Sequence, residues 1–180
     1  MEDNEAESSH VFDDKENLSP EKIFADILKS CEEYTTEKVE VLMLNKSKIL
    51  SLLKTHRPLK MVDYFYGLTG NLLKNRCLIV FEWDDKRMVR HYYKHFTKHM
   101  WRCIKCKQLY NHNLVSTCSY LFMVNGIVFV PNNHECRPRD YEIVMQYQKF
   151  LEEGNPQLAR SMVHTVNFDF GESSHAYVVI

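Results

Sequence analysis

Glycine is scarce in this chain, five in 180 residues, and that scarcity removes several kinds of chemistry at once. Phosphate-cradling loops and nucleophile elbows need closely spaced glycines, and no such run is present. No pair of carboxylates stands at a spacing suited to acid–base work, so an enzyme is not expected. Long apolar runs are missing too. Spanning a bilayer takes roughly 18 consecutive apolar residues, and nothing approaches that length, so no membrane partner is expected. The first residues, Met-Glu-Asp-Asn-Glu-Ala-Glu, are acidic and polar where a secretory leader would be basic and then apolar. An intracellular, reducing compartment is therefore expected, where clustered cysteines hold metal more often than they form disulfides. The most informative absence is local. From Lys86 to His134 there is not one Asp or Glu, although the whole chain is nearly neutral at −1.

That stretch carries Lys86, Arg87, Arg90, Lys94, Lys98, Arg102, Lys105 and Lys107, with histidines at 91, 95, 99, 112 and 134. The compensating acid lies in residues 1–45, which hold 13 acidic and 4 basic side chains. A positive field confined to one segment points to an anionic partner, of which nucleic acid is the commonest; the plain alternative is a solvated basic surface offset by the acidic arm. The hydrophobic content of 44% suffices for one packed domain or two small ones.

The same segment contains the motif that organises the chain. Trp101-Arg-Cys-Ile-Lys-Cys106 puts Cys103 and Cys106 at the spacing of a turn that aims two thiolates at one ion. Farther on, His134-Glu-Cys136 offers a nitrogen and a sulfur, and between Pro131 and Pro138 an extended segment would send both to one face. Three sulfurs and an imidazole suit one tetrahedral, structural zinc ion (Zn2+) with no open position. A lone CxxC could be a redox pair. Redox pairs, however, open a helix after a strand in a βαβ unit, and the residues after Cys106 read as a loop. Cys118 lies between the two pairs and is the alternative to Cys106; its setting, Val-Ser-Thr-Cys-Ser-Tyr-Leu-Phe, reads as mid-strand, where a small buried thiol is ordinary.

In chain order, residues 1–18 read as a disordered acidic arm and 19–76 as a mainly helical N-terminal region. Ser19-Pro20 should cap a helix with an Ile23–Cys31 apolar stripe that stops near Tyr34. Val39–Leu44 reads as a short strand and Asn45–Thr55 as a helix ended by Arg57-Pro58. Residues 77–140 read as a β zinc finger. Its strands are expected at Cys77–Trp83, Arg87–Phe96 and Met100–Cys106, followed by a hairpin of Leu114–Val124 and Ile127–Val130 across Asn125-Gly126. That hairpin makes residues 107–133 a folded return path carrying His134 and Cys136 back to the first pair. Asp140 should cap a helix Tyr141–Glu153 closed by Gly154, and residues 141–180 complete the chain as that helix and a tail. The tail is expected to hold a helical turn at Gln157–Met162, a strand-like Val163–Phe170 and an apolar end at Tyr177–Ile180. The class is α+β, a small antiparallel β-sheet zinc finger flanked by helices.

Over Cys77–Asp140 these residues resemble the FLYWCH and WRKY-like group of β-sheet zinc fingers. Within it they resemble the RYYR-CCHC type, named for an Arg-Tyr-Tyr-Arg strand followed by Cys-Cys-His-Cys. Here the tetrad is His91-Tyr92-Tyr93-Lys94, with Arg90 able to supply the first basic position. The resemblance implies a sheet of four or five antiparallel strands with zinc at one end, ligated by Cys103, Cys106, His134 and Cys136. It implies a nuclear DNA-binding protein, a transcription regulator or a transposon-derived relative, with RNA as an alternative partner. The strand Arg90–Lys94, including Tyr92, would face the major groove, and Arg102, Lys105 and Lys107 the phosphates. For Tyr92 and Tyr93, packing beside the zinc is an equal expectation, and His91, His95 and His99 are expected not to be ligands. A different class of function, a zinc-stapled module that binds protein through the N- or C-terminal regions, would account for the flanks.

Overall fold

The computed structural model describes residues 19–95 and 100–168, with side chains through residue 162. The arm 1–18, the tail from residue 169 and positions 96–99 (His99 among them) lie outside the described residues. The elements run α1 (Pro20–Lys29), α2 (Cys31–Tyr34), α3 (Val39–Leu44), α4 (Lys46–Leu53), β1 (His56–Leu59), a 3-10 turn (Met61–Asp63) and β2 (Tyr64–Gly67). They continue β3 (Cys77–Phe81), β4 (Met88–Lys94), β5 (Met100–Cys103), α5 (Ile104–Asn111), β6 (Tyr120–Val124), β7 (Ile127–Pro131), β8 (Arg139–Asp140), α6 (Tyr141–Glu152) and α7 (Pro156–Phe168). The class is α+β, as expected.

The sheet is antiparallel, in the order β1-β7-β6-β5-β4-β3-β2, with β8 pairing the start of β4. Its two outer strands are consecutive in the chain, and that fixes its shape. Seven flat strands would set β1 and β2 about 29 Å apart, while the step from Leu59 to Tyr64 reaches about 18 Å at full stretch. The sheet therefore curls until its ends approach. One core fills the concave side: Leu59, Leu78, Tyr92, Trp101, Leu121 and Val128 come from six different strands and are all buried.

The convex side is covered in two places. Helices α1–α4 close over β6 and β7, where Ile27, Leu42 and Ile49 pack on Val124, Ile127 and Phe129. Helix α6 lies over β3 and β4, with Val144 on Cys77, Ile79 and Val89. This double cover explains the unbroken apolar runs Cys77–Val80 and Ile127–Val130, both buried on every residue. Turn chemistry fixes the registers. Asn125 and Gly126 have φ of 49° and 75°, the two left-handed positions of a two-residue hairpin turn, so Val124 faces Ile127. Thr35 Oγ1 donates to Asn125 O at 2.7 Å and bolts the helical cover to that turn.

Caps fall where expected. Ser19 Oγ accepts from Lys22 N at 3.2 Å, and Asp140 Oδ1 accepts from Glu142 N and Ile143 N. Several expectations are corrected. Val39–Leu44 is helix α3, because only Leu42 turns inward while Met43 and Leu44 stay exposed, a helical spacing and not an alternation. The strand expected over Met100–Cys106 stops at Cys103, and the residues expected as a loop form α5. There Cys106 and Leu109, three apart, share the inward side. Strand β6 begins at Tyr120 and not at Leu114. The strand-like Val163–Phe170 is helical through Phe168, as the continuation of α7. Within the region read as mainly helical, residues 56–67 supply both outer strands. Pro58 sits in β1, which among the described residues pairs only with β7 and so has one side where no backbone donor is needed.

Candidate metal centre

Cys103 ends β5 and stands at the N-cap of α5, so the first turn of that helix swings Cys106 back beside it. His134 and Cys136 arrive on the return segment after β7. Asn132 N donates to Thr55 O at 3.0 Å on one side of that segment, and the pairing of Arg139 with Val89 holds the other. Glu135 points away and accepts from Ser116 Oγ at 3.3 Å and Thr117 Oγ1 at 3.1 Å, which ties the segment to the loop before β6. The donor atoms of Cys103, Cys106, His134 and Cys136 all lie within 4.8 Å of one another. Cys103 Sγ is 3.6 Å from Cys136 Sγ, and His134 Nδ1 is 3.4 Å from Cys106 Sγ and 3.7 Å from Cys136 Sγ.

No protein-family model, curated protein or solved structure matches this chain. The centre has to be read from its own chemistry.

Those separations are the edges of a tetrahedron. Sulfurs bonded to zinc at about 2.3 Å and at tetrahedral angles sit about 3.8 Å apart, and a sulfur–nitrogen edge is slightly shorter. All six cysteines are free, and the 3.6 Å sulfur separation is far too long for a disulfide. Three soft sulfurs and one imidazole, largely buried, fit zinc. Hydrogen bonds from Cys103 and Cys136 push the Cys106 thiol well down, while bonds to Cys106 and then Cys136 push Cys103 up. Ser119 Oγ, 3.4 Å from Cys106 Sγ, adds a polar neighbour.

Of the two candidates, Cys106 joins the cluster and Cys118 does not. Cys118 stays outside the cluster, half-buried and near the charges of Lys107 and Arg102, with burial raising its thiol. His91 is not a ligand either; it faces the convex side beneath α6 with Val89 and Tyr93.

The residues expected at nucleic acid divide into two groups. Tyr92 is 1% exposed and its Oη lies 2.6 Å from His134 Nε2. Arg90 Nη1 donates to Cys136 Sγ at 2.9 Å and Cys136 O at 2.6 Å, and its Nε donates to Glu82 Oε1 at 2.6 Å. Both side chains are thus engaged around the metal ligands, on a strand paired along both sides. Lys94 is exposed, with Nζ 5.9 Å above the Trp101 ring. Arg102, Lys105 and Lys107 are partly exposed, and Lys107 Nζ lies 5.1 Å over Tyr110. Burial, then Arg139, lowers the Lys105 amine, and Cys136 pulls it the other way. Sequence reasoning missed Glu82 altogether. The available signal was hairpin arithmetic: with Phe81 opposite Val89, residue 82 falls diagonally beside Arg90.

Proposed function

We propose that this chain is a zinc-stapled nucleic-acid-binding module, with DNA the first partner to test and RNA the alternative. All four donors come from the protein, which leaves no ligand position for an activated water and makes the centre structural and not catalytic. The observation that carries the partner is a set of cations without counter-charges. Among the described residues, Lys94, Arg102, Lys105 and Lys107 take part in no ion pair, within a stretch devoid of carboxylates. Unlike Arg90 and Tyr92, they can reach phosphates without opening the core. The likeness to RYYR-CCHC and FLYWCH-type domains agrees with this role and with a nuclear location.

The test is retention of the zinc-loaded protein on mixed-sequence DNA as salt is raised. Each neutralised phosphate contributes about −0.9 to the slope of log affinity against log salt. With four such cations a slope of about −3.6 is expected, and Lys107→Ala or Arg102→Ala should each lower its magnitude by about 1. Affinity that ignores salt, or the absence of binding, would remove nucleic acid from the reading. A second reading has its own observation: α3 exposes Val39, Met43 and Leu44, the last at 85%, as a small apolar face suited to protein. Salt-insensitive binding to a protein partner, lost in Leu44→Asp, would favour it.

A further inference from the structure

We infer that Tyr92 and Arg90 are positioning residues of the zinc centre: Tyr92 fixes which nitrogen of His134 faces the metal, and Arg90 holds the Cys136 thiolate. The inference rests on the reading of the four-residue cluster as a zinc site and goes beyond it, since neither side chain is itself a ligand.

An imidazole has two nitrogens, and the bond made by one decides the role of the other. In His134, Nδ1 is the atom turned toward the sulfurs of Cys106 and Cys136. Nε2 meets the buried Tyr92 hydroxyl at 2.6 Å. With hydrogen on Nε2 donating to Tyr92 Oη, Nδ1 keeps its lone pair for the metal. Ring contact completes the clamp, the Tyr92 and His134 rings meeting edge-on at 5.7 Å between centroids. A histidine ligand anchored through its second nitrogen is the usual means of fixing ring and tautomer together.

Arg90 addresses charge. Three thiolates around a divalent ion leave one net negative charge. The guanidinium of Arg90 meets it from within the core, through Cys136 Sγ and the carbonyl of the same residue. On its other edge Glu82 takes Nε, so the planar group is held in one orientation. The Arg90 and Glu82 side chains are only 11% and 17% exposed, so this ion pair is little screened by water. A mere fold-stabilising pair would not need to share its guanidinium with a ligand sulfur.

The experiment compares zinc affinity and cobalt(II) spectra of the full chain and its variants. Zinc affinity is read by competition with a chromophoric chelator. Tyr92→Phe keeps the ring in the core and removes only the hydroxyl, and it should weaken zinc about 10–100-fold. Arg90→Gln should weaken zinc in the same range and shift the sulfur-to-cobalt charge-transfer band, with Arg90→Lys recovering most of both. If R90Q alone loses its fold because Glu82 is stranded, the R90Q/E82Q pair removes both charges and reads the same quantities. A residue that merely packs would lower melting temperature in the zinc form and leave the cobalt spectrum unmoved. Zinc affinities within about twofold of wild type, well short of the usual loss, together with superimposable cobalt spectra overturn the inference. Wild-type protein that binds no zinc instead overturns the metal reading, and the two failures are distinct.

Discussion

The Cys/His end and the helical cover of this sheet are held together by opposite means. Over β6 and β7, the cover is a conventional apolar contact in which Ile27, Leu42 and Ile49 meet Val124, Ile127 and Phe129, all but one at 3% exposure or less. Its strength grows with buried area, and each side chain adds a share. Around Cys103 polar side chains reach into the apolar core, and Arg90, Tyr92, Glu82 and Ser119 each bond to a member of the Cys/His cluster or to one another. There the contributions are not additive, because four donors converge on one point and lose most of their purpose together. A curled sheet this small gains a fixed shape from the second kind of contact and bulk stability from the first.

The widest test of that contrast is removal of the metal. Structural zinc contributes about 10–16 kcal/mol of apparent binding free energy to folding at neutral pH. Chelation, or Cys103→Ala or His134→Ala, should therefore abolish amide protection in β3–β5 and α5. Protection in α1–α4 should fall with it, since their cover rests on the β6–β7 hairpin whose strands continue into the metal end. Cys118→Ala should keep zinc. If hydrogen exchange shows α1–α4 fully protected in the metal-free chain, the two regions fold separately and the contrast is one of domains.

A smaller perturbation on the other side sharpens the same point. Ile49 is fully buried in α4. Ile49→Ala should cost about 2–5 kcal/mol in denaturant unfolding, by lost transfer energy and the cavity left behind. Zinc content should remain one per chain, because that cluster includes none of Cys103, Cys106, His134 and Cys136. A fall in zinc content would show that the cover also sets the geometry of the return segment.

How far the amino-acid sequence disclosed all this follows the same division. The convergence of Cys103, Cys106, His134 and Cys136 was legible because CxxC and HxC spacings state a chemical requirement directly. The Asn125-Gly126 turn and both helix caps were legible because few residues meet those backbone needs. Strands β1 and β2 were hidden: His-Arg-Pro-Leu and Tyr-Phe-Tyr-Gly have no strong period, and β1 finds its partner β7 only far along the chain. Helix α5 was hidden by the same motif that revealed the ligands, since a CxxC turn followed by Lys-Gln-Leu-Tyr-Asn-His-Asn looks like loop until Leu109 finds the core. The basic residues were legible as charge and not as individual roles. Positive charge beside cysteines can serve a phosphate or the thiolates themselves, and charge counting cannot separate Arg90 from Lys94. Only the buried position of Arg90, with Glu82 behind it, does so.

The finest test concerns the two faces of β4. On its concave face Arg90 and Tyr92 are fully engaged, but on the convex face His91 is buried, and its Nε2 has no hydrogen-bond partner among the described residues. Burial, reinforced by the charge of Arg139, lowers its imidazole from the ordinary 6.5 to about 3. The folded state therefore holds His91 neutral at pH values where the unfolded chain would take up a proton. As pH falls below about 6.5 the unfolded state gains protons that the folded state refuses, and stability drops by up to about 1.4 kcal/mol per pH unit until His91 titrates near 3. Ligand protonation acts in part of the same range, so the quantity to measure is a difference. His91→Phe should become progressively more stable relative to wild type between pH 6.5 and 5, with no divergence above pH 7. Parallel stability curves would mean that His91 finds a partner or water in solution, and the two faces of β4 would then be equally satisfied.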